Sequence, residues 1–83
     1  MRHVTEHGLD ELERLLARLR TVEGLVEKKR GVFYRRSKAF LHFHEDPSGL
    51  HADVRLGDSF ERLRVQTQKE RATLLAAVRR AIT

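Results

Sequence analysis

Two segments of the chain carry apolar residues at helical spacing. Leu9, Leu12, Leu15, Leu16, Leu19 and Val22 recur three and four apart, which places them on one face of a helix. Asp10, Glu11 and Glu13 lie early in the segment, where the helix dipole favours negative charge, and Arg18 and Arg20 lie late. Gly24 follows and can take the left-handed conformation that closes helices. The spacing predicts a helix over residues 9–22. Towards the other end, Leu74, Leu75, Val78 and Ile82 form a second stripe. Thr67 and Glu70 stand ahead of it at the spacing of a capping box, in which each side chain satisfies the other residue's backbone N–H. A helix over 68–82 is predicted there.

Between the helices the period drops to two, as in strands. Four segments alternate: 31–36 (GVFYRR), 38–44 (KAFLHFH), 50–56 (LHADVRL) and 60–66 (FERLRVQ). They are separated by Arg36-Ser37, by the Glu45–Gly49 loop and by Gly57-Asp58, all of hairpin length. The expected fold is α+β: a two-layer sandwich of a four-stranded antiparallel meander with the N- and C-terminal helices on one face, formed by residues 1–83 as a single domain.

Directly opposed residues of an antiparallel pair share a face, so the alternation also sets the register. Leu50, Ala52, Val54 and Leu56 must face the core, as must Ala39, Leu41 and Phe43. Pairing 43 with 52 and 41 with 54 satisfies both sets, and pairing 45 with 50 shortens the loop. A two-residue turn at 36–37 pairs 34 with 39 and sends Val32 and Tyr34 inward. The expected core is Leu12, Leu15, Leu16, Leu19, Val32, Tyr34, Leu41, Phe43, Ala52, Val54, Leu63, Leu74, Leu75 and Val78. Phe60 can face either side, because a bulge at the Gly57 turn would reverse it.

The other sheet face is then expected to carry Phe33, Arg35, Lys38, Phe40, His42, His44, His51, Asp53, Arg55, Arg62 and Arg64. A purely solvated face needs no phenylalanine, and a core face would not hold so many cations. Composition points the same way. The formal net charge is +5, with charged residues at 35% of the chain, and no acidic residue occurs between Lys28 and His44. Nucleic acid or another polyanion is therefore the leading candidate partner, with Arg35, Lys38, Arg55, Arg62 and Arg64 meeting phosphates and Phe33 and Phe40 stacking on bases.

Two alternatives use the same face. His42 opposes Asp53 and His44 opposes His51 in the expected register, so four residues suited to zinc, nickel or iron share one patch. Phe33 and Phe40 could instead form a homodimer or protein-partner surface. Acid–base chemistry by the histidines lacks a recognisable nucleophile. Ser37, Ser48 and Ser59 lie in turns without a nucleophile elbow, and the scattered glycines form no phosphate-cradling loop. No catalytic residue or resident cofactor is assigned.

The chain has no cysteine, which removes disulfides and thiolate chemistry and fits a reducing compartment. No run approaches the roughly 18 apolar residues of a membrane span. The polar start, with Glu6 and Asp10, is unlike a signal peptide. The expected location is the cytoplasm, without a membrane partner.

The stretch FLHFHEDPSGLHADVRLGDSFERLRV, preceded by KKRGVFYRR, resembles a group of short bacterial proteins that have no assigned activity. The helix–antiparallel sheet–helix order is similar to the YjbR/MmcQ family. That resemblance covers residues 9–82 and rests on the Val32–Tyr34 strand, the Ala39–Phe43 strand and the closing helix. It implies a double-wing fold associated with DNA binding and supplies no catalytic residues.

Overall fold

In the computed structural model, which describes residues 2–82, the first helix is anchored by Thr5. The Thr5 hydroxyl accepts from the Gly8 N–H at 3.2 Å, and the Glu45 carboxylate accepts from both the Thr5 N–H and its hydroxyl. Helix α1 (Glu6–Glu11) thus begins before Leu9, because the cap lies outside the apolar stripe. Leu12 leaves helical geometry with φ −91° and ψ 2°, and α2 (Glu13–Leu19) continues beyond it. The Leu16 N–H still bonds the Leu12 carbonyl, so the two segments form a bent rod rather than separate helices. Helix α3 (Gln68–Ile82) carries the expected capping box: Thr67 Oγ1 accepts from the Glu70 N–H at 3.1 Å, and Glu70 Oε1 from the Thr67 N–H at 2.9 Å.

The sheet is antiparallel and has five strands in sequential order: β2 (Leu25–Lys29), β3 (Val32–Arg35), β4 (Lys38–Asp46), β5 (Gly49–Arg55) and β6 (Phe60–Arg64). A short β1 (Arg2–His3) pairs with the far end of β4, as Arg2↔Glu45 and His3↔His44. β2, like β1, lies outside the four strands that the alternation indicated. It turns into β3 through Arg30-Gly31, where Gly31 has φ +81° and a Cβ would stand 2.6 Å from Leu9 Cδ2, so glycine satisfies both the turn and the packing. Ion pairs also secure this hairpin to the helices. Arg30 lies within 3.1 Å of Glu6, Asp10 and Glu13, and Arg20 bridges Glu13 and Glu27. Part of the basic run is therefore neutralised by carboxylates of α1 and α2.

The β4–β5 register has Leu41↔Val54, His42↔Asp53, Phe43↔Ala52 and His44↔His51, as expected. It continues to Asp46↔Gly49, closing on a two-residue turn at Pro47-Ser48. The β3–β4 pair keeps Tyr34↔Ala39 but shifts to Phe33↔Leu41. Phe40 is thus an extra residue, and this bulge reverses the in–out alternation beyond it. The expected faces of Phe33, Phe40, Val32 and Tyr34 are corrected as a result. Phe33 is 1% exposed and Phe40 3% exposed, both in the core rather than on the open face, while Val32 and Tyr34 are only partly buried. Leu63 faces the core opposite Ala52, as expected, and is partly buried against it, while Val65, just past the end of β6, is fully buried.

One core cluster joins Leu9, Leu12, Leu15, Leu16 and Leu19 of the bent rod, Leu74, Leu75 and Val78 of α3, and Leu41, Phe43, Ala52 and Val54 of the sheet. No helix among the described residues is long and apolar enough to cross a membrane.

Candidate metal centre

Because β4 from Leu41 onwards and β5 alternate in step, Leu41, Phe43, Ala52 and Val54 are drawn into the core, and His42, His44, His51, Asp53 and Arg55 take the opposite face. β6 extends the pattern, with His51↔Arg64, Asp53↔Arg62 and Arg55↔Phe60. On the other flank, β1 sets His3 opposite His44. Two rows of polar side chains therefore cross the strands. One runs His3, His44, His51, Arg64 and the other His42, Asp53, Arg62.

Asp53 is the centre of the second row. Its carboxylate accepts from Arg62 Nε at 2.7 Å and from Arg62 Nη2 at 2.9 Å, a bidentate pairing that holds its pKa below the ordinary carboxylate value. His44 Nε2 lies 3.1 Å from Asp53 Oδ2, with the two side chains 15% and 13% exposed. His42 packs edge-on against His44, with ring centroids 4.8 Å apart, and against Phe60 at 5.4 Å. Burial, and then the neighbouring His44, lower the His42 pKa and favour the neutral imidazole that ligates metals. Its Nδ1 is one of two buried side-chain nitrogens among the described residues without a hydrogen-bond partner.

One ligand atom from each of His42, His44 and Asp53 lies within 4.8 Å of the others. Ligands of a tetrahedral zinc stand about 3.4 Å apart, given bonds of about 2.0–2.2 Å, so modest side-chain rotation would bring the three onto one ion. Arg62 already occupies the supporting position of a partner that orients a ligating carboxylate. The sequence pattern also offered His51 as a ligand. It does oppose His44, but its Nε2 sits 3.1 Å from Ser48 Oγ and 3.4 Å from Asp46 Oδ1, at the hairpin end. His3, which the pattern did not offer, stacks on His44 with centroids 5.4 Å apart. A two-residue strand carries no periodicity by which to find it.

The cations proposed to meet phosphates have diverse surroundings. Arg35, two residues from the buried Phe33 on the same side of β3, donates from Nη1 to the Ala81 carbonyl of α3, so it lies on the helix side and not on the open face expected for it. Arg55 lies over the Phe60 ring at 4.5 Å and donates to the Asp58 carbonyl, leaving its buried Nε as the second unpartnered nitrogen. Lys38 is exposed beside the 36–37 turn, and Arg64 is 53% exposed with Glu70 3.9 Å away. Phe33 and Phe40, intended for stacking, are buried, and Phe60 remains as the accessible aromatic of this face. A groove between the rod and α3 is spanned by Arg71, which already bonds the carbonyls of Val65, Gln66 and Glu11 and so fastens the helices.

No family model, curated protein or solved structure matches this chain.

Proposed function

We propose that this chain is a small non-enzymatic binding module that takes up a divalent transition metal of the zinc class through His42, His44 and Asp53. The observation that carries it is the approach of these three ligand atoms to within 4.8 Å on adjacent strands. Two features add support. The unpartnered Nδ1 of His42 has a lone pair that a metal would accept, and the Arg62 fork leaves Asp53 ionised and oriented. With the helices as one layer over the Leu41–Val54 face, the histidine face is the one left for a ligand. Polyanion binding keeps Arg55, Arg62 and Arg64 on this face but loses Arg35 to the helix side and Phe33 and Phe40 as stacking platforms, and a homodimer loses the same two phenylalanines. The absence of cysteine suits the reducing conditions of the cytoplasm.

Thermal unfolding of tag-free protein tests this reading. Zinc or cobalt at about 100 times its Kd should raise Tm by about 10–20 °C in a domain of this size. The rise should disappear in His42→Ala and in His44→Ala, and persist in His51→Ala. A Tm that stays flat up to millimolar metal would refute the metal site.

A further inference from the structure

We infer that a metal held by His42, His44 and Asp53 keeps a coordination position for a small oxyanion, which the arginines of β6 clamp from the side. This rests on the metal reading above and names the ligand class that the same site would take.

Three protein ligands leave a zinc-class ion at least one position for an exogenous group, the arrangement of sites that bind a substrate or water. Positive charge borders that position along β6. Arg62 stands in register with Asp53, and Arg64 stands in register with His51 one row away. Arg62 commits Nε and Nη2 to Asp53, and a guanidinium has five N–H donors, so its Nη1 edge is left for another acceptor. Arg64 is more than half exposed, with no carboxylate closer than Glu70 at 3.9 Å among the described residues. Arg55, over Phe60, adds a third cation on the same face. The acidic groups nearby are already engaged: Asp53 by Arg62 and His44, and Asp46 by Ser48 and His51. A group with one oxygen on the metal and another on a guanidinium meets both requirements, and phosphoryl and carboxylate groups share that chemistry. The competing occupant is His3, whose ring already lies on His44 and could close the fourth position itself.

Cobalt-loaded full-length protein separates these outcomes, with phenylphosphonate and benzoate as soluble probes of the two oxyanion types. Cobalt bands without any anion report the metal site alone, so their absence would be a failure of the metal reading, recognised before the inference is tested, and would remove both. With cobalt bound, one or both probes should shift the visible bands saturably and bind at least about 10-fold more tightly than to metal-free protein, the worth of one charged hydrogen bond. The probe that binds identifies the oxyanion type. Arg64→Ala and Arg62→Lys should each weaken probe binding by about 10-fold. Bands that neither probe moves would overturn the inference, and if they then respond in His3→Ala, His3 is the fourth ligand. Equal probe binding with and without cobalt, or unchanged binding in both arginine variants, would overturn it as well.

Discussion

Strand β4 has a regular neighbour on one side and an irregular one on the other. Towards β5 every residue from Leu41 to Asp46 is paired in step, and the face of each side chain follows from its position. Towards β3 the ladder slips at Phe40, and two bulky aromatics reach the core from places where simple alternation assigns them to the surface. Composition accounts for the contrast. In LHADVRL, polar residues separate the apolar ones, so only one register buries the apolar set. In VFY and AFL the apolar residues are consecutive, so either face can be buried, and a bulge resolves the conflict by burying Phe33, Phe40 and Leu41 together. Polar residues in a strand thus fix its register as firmly as apolar ones do.

The largest effect that can break this contrast is a core truncation in the irregular hairpin. Phe33→Ala and Phe40→Ala should each cost about 3–5 kcal/mol in urea unfolding, as deletions of buried aromatics do. Val32→Ala, at the partly buried position beside Phe33, should cost distinctly less. The opposite order, with Val32→Ala more damaging than Phe33→Ala, would restore unbroken alternation and remove the bulge.

The same contrast explains what the sequence made legible. The two apolar stripes, the Thr67–Glu70 cap and the whole β4–β5 register could be read because each follows from a repeating pattern or a local motif. His42, His44 and Asp53 came with that register, since the residues opposite a buried row must share the other face. β2 was missed because LVEKK is short and charged, and its place depends on Arg20, Arg30 and Leu9, which are distant or only locally unremarkable. His3 and the turning of His51 towards Asp46 depend on side-chain contacts that no period encodes.

A smaller effect should sharpen the comparison from its turn. Arg36 and Ser37 both have positive φ, 52° and 67°, in the two-residue turn that joins the irregular hairpin. Left-handed backbone disfavours residues with a Cβ by about 1–2 kcal/mol, and glycine offsets part of that gain through its extra unfolded-state entropy. Ser37→Gly should therefore stabilise the domain by about 1 kcal/mol and raise Tm by about 4–8 °C. A fall in Tm would mean that the turn does not hold this conformation in solution.

The smallest effect concerns pH and separates the two hairpins by charge. Burial and the nearby His44 hold the His42 pKa below its ordinary 6.5, and Arg62 holds that of Asp53 below 3.8. A group with a depressed folded-state pKa binds its proton more weakly when folded, so acidification favours the unfolded chain. For His42 the loss begins as pH falls towards 6.5, where the unfolded imidazole protonates, and ends once the folded pKa is passed. Asp53 keeps its contribution until pH approaches 3.8 and loses it below. Between about pH 7.5 and 5.5 the difference therefore belongs to His42 and not to Asp53. His44, His3, Asp53 and Arg62 all face His42 or lie beside it, so the comparison must leave them in place. In a chelating buffer, wild-type Tm should drop over this interval by more than that of His42→Gln. Tyr34→Phe, in the irregular hairpin, removes no histidine and no carboxylate and should leave the wild-type slope unchanged. Parallel slopes for wild type and His42→Gln would show that burial on the regular side does not hold His42 neutral, and the contrast between the hairpins would then be one of packing alone.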